Sequence, residues 1–214
     1  MISALVQFNP DPAMIPLRSF LSLIFVLAAS LPAAEPLLIS QPQPEIASPS
    51  FKEPLDKTWS IAHGRWTPRE GVLDVVELPE NKHVPVLHHK VPLQTAVIEC
   101  EVRFDKPGTF LVGCDATKHV GRVIVKPDGL SIAEDSVKPS HTLATLKLPV
   151  KTGEWHHLRV EWTGDQMAAN LDGHTLKAQH PYLATPKTRS WLAVGKAAQV
   201  RALKVSGTAR AAAK

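Results

Sequence analysis

Several things are scarce in this 214-residue chain, and each scarcity removes a class of function. There is no Cys-x-x-Cys, no His-x-His and no His-Glu-x-x-His, so the usual sequence spacings of a metal centre are missing despite ten histidines. There is no glycine-rich phosphate loop, no Gly-x-Ser-x-Gly elbow and no nucleophilic-cysteine motif. Charge of one sign is not concentrated anywhere: the formal +4 is spread over short alternations of Lys/Arg with Asp/Glu, without the basic stripe or module that nucleic-acid binding needs. Helical periodicity is scarce too. The one apolar run, "FLSLIFVLAAS" from Phe20 to Ser30, is too short for a bilayer core of roughly 30 Å, and no run of eighteen apolar residues follows it.

What is present begins with a leader. From Met14 the chain reads as a secretory signal: Arg18, the apolar run, then the small residues Ala33 and Ala34. Met14 is the expected start, with cleavage between Ser30 and Ala34 and no cysteine there to take a lipid. The expected product is secreted or periplasmic, from a bacterium, with no transmembrane segment. The divisions expected are an extension and signal peptide over 1–34, a proline-rich linker or strand-edge lead-in over 35–57, one folded domain over 58–207 and a frayed basic tail over 208–214.

Within the domain, short apolar-alternating segments are separated by turn residues, the pattern of an all-β sandwich or barrel. Thirteen strands are predicted, among them "AVIECEVRF", "TFLVGCDA", "GRVIVKP", "WHHLRVEW", "QMAANL" and "SWLAVG", and so many strands around one core imply two stacked sheets. Reversal at Gly164-Asp165 sets Trp162 against Met167, Val160 against Ala169 and Leu158 against Leu171, giving one apolar face. Asp172-Gly173, a favoured type I′ pair, then turns the chain again. A reversal at Pro107 would set Phe104 against Phe110, Val102 against Val112, and Cys100 against Cys114. Those two cysteines therefore fall on the core face, either as a disulfide or as buried free thiols.

The candidate chemistry follows from alternation. His156 and His157 point to opposite faces of their strand, as do His88 and His89, so neither pair holds one ion; His156 joins the apolar face and His157 the polar one. Glu99 and Glu101 share a face about 6.7 Å apart by strand rise, with Arg103 next along, a spacing permissive for a glycosidase pair and equally ordinary for a solvent-facing strand. Asp115, His119 and Arg122 lie close together near a strand start, where a guanidinium fork could hold a carboxylate or a sugar hydroxyl. Of the five tryptophans, Trp59, Trp155 and Trp162 read as core, and Trp66 and Trp191 as the better surface candidates for sugar stacking.

The stretch "GEWHHLRVEWTGDQMAANLDG" is similar to the strand, Gly-Asp turn and Leu-Asp-Gly corner of laminin-G-like, concanavalin A-like domains. With "TWSIAHGRWTPREGVL", "VIECEVRF", "KHVGRVIVKPDGL" and "HPYLATPKTRSWLAVG" in that order, residues 58–206 resemble secreted bacterial proteins related to the 3-keto-disaccharide hydrolase (domain of unknown function) group. The resemblance implies a two-sheet antiparallel jelly roll with any ligand on the concave face or its rim. The Glu-x-Asp-x-x-Glu strand of the concanavalin A-like laminarinases is absent, since "ECEVRF" supplies only Glu99 and Glu101, and Asp115, Asp128 and Asp165 form no dependable calcium set, although a structural calcium stays open. No other cofactor is expected.

Three functions follow. The first is an exported module that binds glycan or cell-envelope polysaccharide through Arg103, Asp115, His119, Arg122 and Trp191. The second is an enzyme cleaving 3-keto-type sugars with Glu99 or Glu101 handling the proton. The third is a structural or partner-binding envelope module.

Overall fold

The structure, a computed structural model, describes residues 36–209, and the signal-peptide reading and the last residues of the tail lie outside them. Fifteen strands are found among the described residues. In chain order they are β1 (Glu45–Ala47), β2 (Trp59–His63), β3 (Arg65–Arg69), β4 (Val72–Val76), β5 (Val86–His89), β6 (Leu93–Phe104), β7 (Thr109–Asp115) and β8 (His119–Lys126). They continue with β9 (Gly129–Glu134), β10 (His141–Lys147), β11 (Trp155–Thr163), β12 (Gln166–Leu171), β13 (His174–Gln179), β14 (Arg189–Gly195) and β15 (Ala197–Ala209). All thirteen expected strands are there. The two that alternation missed are the three-residue β1 and β3, whose Pro68 reads as a strand breaker but is tolerated because β3 is an edge strand.

The strands form two antiparallel sheets. One has eight strands in the order β13-β12-β11-β6-β15-β4-β3, with β1 added on β15; the other has seven in the order β10-β9-β8-β7-β14-β5-β2. The core lies between them. β6 sends Ala96, Ile98, Cys100, Val102 and Phe104 inward, and β7 answers from the other sheet with Phe110, Val112 and Cys114, all at most 3 % exposed. Each valine, isoleucine or phenylalanine among them contributes about 1.5–3 kcal/mol by leaving water, which fixes which face of each strand turns inward.

The hairpin β11–β12 has the expected register, with Trp162 opposite Met167, Val160 opposite Ala169 and Leu158 opposite Leu171. Asp172 and Gly173 both have positive φ, 51° and 84°, as a type I′ turn requires, and Leu171 then faces His174 on β13. His156 is buried and His157 exposed. Asp172 completes that corner: its carboxylate meets His156 Nδ1 at 2.6 Å and accepts the His157 N–H at 2.8 Å.

The reversal at Pro107 is a correction. β6 and β7 do not pair: β6 lies between β11 and β15 in the larger sheet, and β7 between β8 and β14 in the smaller. Equal apolar alternation on both strands fits a hairpin and a sheet-to-sheet crossover alike, and burial between two layers favours the crossover. Cys100 and Cys114 do face the core, as free thiols on opposite sheets; burial, with Glu101 and Glu99 near Cys100, pushes each thiol up to about 12, so both stay protonated.

The lead-in lies along the larger sheet. Phe51 is 1 % exposed, and Ile46 and Ala47 pack against the core. The buried Glu161 carboxylate accepts three successive backbone N–H groups, from Leu38, Ile39 and Ser40, at 2.8, 3.0 and 2.9 Å. Arg159 donates to the same carboxylate at 3.1 Å and to the Pro36 carbonyl at 2.6 Å.

Candidate functional site

The outer face of the seven-stranded sheet holds a cavity of about 990 Å³ over β5, β14, β7 and β8, walled by the loop 135–140. Strand alternation supplies its floor: Val86, Leu111, Ile124, Trp191 and Ala193 are the outward members of strands whose inward members make the core. Trp191 lies across Gly113, its cross-strand partner, which has no side chain to hold the indole away.

Asp115 is the hub of the site. It is 1 % exposed, and its Oδ1 accepts from Trp191 Nε1 at 2.6 Å and meets His119 Nδ1 at 2.7 Å, while Oδ2 accepts from Arg189 Nε at 2.8 Å. The local fold explains this convergence. Cys114 pairs with Gly121, so an unbroken ladder would set Asp115 against Val120; a bulge at that step sets it against His119 instead, with Arg189 as its partner on the other side. Burial pushes the Asp115 carboxyl up, but the hydrogen bonds from His119, Arg189 and Trp191 outweigh it and hold the group below its ordinary value. The same hydrogen bond raises His119. With Nδ1 engaged on Asp115 and the side chain 58 % exposed, His119 lies on the cavity lining with Nε2 as its remaining nitrogen.

Arg122 also lines the cavity, but its fork is occupied. One Nη donates to both Asp135 oxygens at 2.6 Å and the other to Ser140 Oγ at 2.7 Å, so Arg122 holds the wall loop rather than an incoming carboxylate. Lys118, Lys126, Lys138 and Arg189 join it on the lining; five Lys/Arg side chains against Asp115 and Asp135 leave a surplus of three positive charges before His119 is counted. Charge on the rim and hydrocarbon on the floor suit a ligand with C–H faces and anionic substituents.

The residues singled out in the sequence thus separate into two groups. Asp115, His119, Arg122 and Trp191 come together in the cavity. Glu99, Glu101 and Arg103 do not: they project from β6 on the outer face of the other sheet. There Glu101 pairs with Arg201 at 2.5 Å, Glu99 lies 3.8 Å from Arg159, and Arg103 donates to Gln199. Two carboxylates on one outer face and a His/Arg set on the opposite one cannot flank the same bond. The tryptophan reading also changes. Trp66 and Trp191 are 4 % and 5 % exposed, so neither is a surface platform; Trp155 is the partly exposed one, between the guanidinium groups of Arg103 and Arg201 at 5.1 and 4.1 Å. Arg189 was missed, although its spacing two residues before Trp191 marks it as a member of the same face.

No family model matches the chain, and no curated protein does. Among solved structures it is similar to the carbohydrate-binding module CBM66 from Bacillus subtilis, with a TM-score of 0.59 at 13% identity over 70% of this chain and 96% of that one. It is similar to the CBM2 module of the evolved Dit of Lactobacillus casei BL23 phage J-1, with a TM-score of 0.58 at 12% identity over 75% and 94% of the two chains. It also resembles the exoplasmic/lumenal domain of VIP36 in a Ca2+/Man2-bound form, with a TM-score of 0.55 at 9% identity over 74% and 86%. At these identities the likeness is one of fold: the chain is a two-sheet antiparallel β-sandwich of the architecture these modules share.

Proposed function

We propose that this protein is an exported carbohydrate-binding module that takes an acidic glycan into the cavity over the seven-stranded sheet. The observation that carries the reading is the cavity's composition: an apolar floor that presents Leu111 and Ile124 beside the edge of the buried Trp191, ringed by cations that outnumber carboxylates, in about 990 Å³. That size suits a short oligosaccharide. The carbohydrate-binding neighbours support a glycan as ligand, and the sequence supports export through the apolar run after Arg18. Among the described residues no helix is long and apolar enough to cross a membrane.

Calorimetry with polyuronates and with neutral glucans tests the reading. The acidic polymers bind, more weakly as salt rises, and Lys118→Ala combined with Lys138→Ala weakens them at least about tenfold while leaving the fold intact. Absence of binding to every acidic and neutral glycan refutes it.

One observation favours an enzymatic alternative, the Asp115–His119 pair, in which a carboxylate holds one nitrogen of an imidazole that lines the cavity and leaves the other unengaged. In that reading His119, rather than Glu99 or Glu101, moves the proton during cleavage of a glycoside, the 3-keto sugars being the class to try first. Turnover of a 3-keto-glycoside that His119→Ala abolishes supports it; no turnover by the intact protein removes it.

A further inference from the structure

The loop 135–140, which forms one wall of the cavity, is bracketed in sequence by two potential metal ligands, Glu134 at the end of β9 and His141 at the start of β10. A third, His180, follows β13 of the other sheet. One ligand atom from each of the three residues lies within 4.8 Å of the others. His141 Nδ1 is 3.5 Å from one Glu134 oxygen and His180 Nδ1 4.0 Å from the other. Neither distance is a good hydrogen bond; the first matches the separation of about 3.4 Å between ligand atoms of a tetrahedral ion with bonds of 2.0–2.1 Å, and the second, to the other carboxylate oxygen, is about 0.6 Å longer, a gap that a rotation of the partly exposed His180 ring closes.

The surroundings of Glu134 are those of a held ligand. Its carboxylate is 1 % exposed and accepts from the Ser136 N–H at 2.6 Å and the Ser136 hydroxyl at 2.9 Å, which orient it toward the two imidazoles. His141 and His180 meet edge to face, ring centroids 6.0 Å apart. The competing contact is weak: the Tyr182 N–H reaches His180 Nδ1 at 3.3 Å, and an ion would replace it.

We propose that Glu134, His141 and His180 bind one divalent ion of the zinc class, which clamps the base of the cavity-wall loop and ties it to the opposite sheet. Two imidazoles with one carboxylate match zinc and its neighbours, whereas calcium and magnesium take oxygen ligands. Three protein ligands leave a fourth position for water. Alternation could not reveal the site, because its members come from three separate segments and obey no spacing motif.

The test uses the chelator-treated protein. Titration with Co2+ gives the visible absorption of a tetrahedral site at one ion per chain, Zn2+ displaces it, and Zn2+ raises the melting temperature. His141→Ala, at a side chain 58 % exposed and so compatible with folding, weakens Zn2+ binding by more than the 10- to 100-fold that an outer-sphere partner commands, and Glu134→Gln does the same. The proposal is overturned if the intact protein takes up neither ion, or if both variants bind as tightly as it does.

Discussion

Trp191 and Gly113 are locked together across the β7–β14 pair: a Cβ added at Gly113 would fall within 3.0 Å of three indole carbons. The floor of the cavity therefore rests on the absence of a side chain. Gly113→Ala lifts the indole off the sheet and strains its hydrogen bond to Asp115. The variant should lose about 1–3 kcal/mol of stability, the usual range for overpacking, together with glycan affinity. Chemical denaturation and calorimetry check both; an unchanged midpoint would show that the indole has room to move.

Asp115 and His119 give the protein a stability plateau in pH. The raised imidazole contributes stability that is complete below its ordinary 6.5 and is lost as pH rises through the higher folded value. The lowered carboxyl contributes above its ordinary 3.8 and is lost as pH falls through the lower folded value. The pair is thus fully effective between those two ordinary values and fades on either side. Asp115→Asn should flatten both limbs of a denaturation-versus-pH curve and return the His119 titration, followed by NMR, toward the ordinary value. Retention of a raised His119 in that variant would contradict the pairing. Acidic-glycan affinity should also fall as His119 deprotonates, because the cavity then loses one positive charge.

His89 contributes in the opposite sense. It is 1 % exposed, its ring lies 4.4 Å from that of Trp59, and neither ring nitrogen has a hydrogen-bond partner among the described residues. Burial holds the imidazole below its ordinary 6.5, so it stays neutral, and stability is lost as pH falls from that value through the lowered one. His89→Phe keeps the ring contact and removes two unpaired nitrogens. It should stabilise the protein by about 1 kcal/mol near neutrality and make the acid limb shallower. A thermal melt with no gain at either neutral or mildly acid pH would count against this account.

Glu161 fastens the lead-in. Glu161→Ala takes the acceptor from three consecutive amides and one carboxylate from the buried Arg159, at a cost of about 3 kcal/mol. Glu161→Gln, which keeps an acceptor oxygen, should cost less. Limited proteolysis should cut the alanine variant between residues 36 and 47 before the rest of the domain opens, whereas equal protection in both proteins would show that β1 alone secures the segment.

How much of this was legible in the sequence depends on the range of the interaction. Alternation gave the core-facing sets of β6, β7, β11 and β12, because successive side chains point to opposite faces wherever the strand lies, but it read the other face of β11 as simply polar, whereas Arg159 and Glu161 there are buried against the lead-in. It gave the register at Gly164-Asp165, where a two-residue turn leaves no choice, and failed at Pro107, where the chain leaves one sheet for the other. Within the site, Asp115, His119 and Arg122 were visible by proximity in sequence, but the bulge that sets His119 beside Asp115 carries no sequence mark. Glu99 and Glu101 looked catalytic only because strand spacing says nothing about which outer face a strand supplies. The assembly of Glu134, His141 and His180 depends wholly on tertiary packing.

The place of β15 has a consequence for how the molecule is made. The last strand of the described chain lies inside the larger sheet, hydrogen-bonded to β6 on one side and β4 on the other. Until it arrives, β6 has an open edge and nothing joins β4 and β3 to the larger sheet. Completion of the larger sheet must therefore wait until residues 197–209 have been made, and such distant pairing makes for slow folding. Shortening the chain before Ala197 would remove a central slat rather than trim an end, leaving β4 and β3 without their attachment to the sheet.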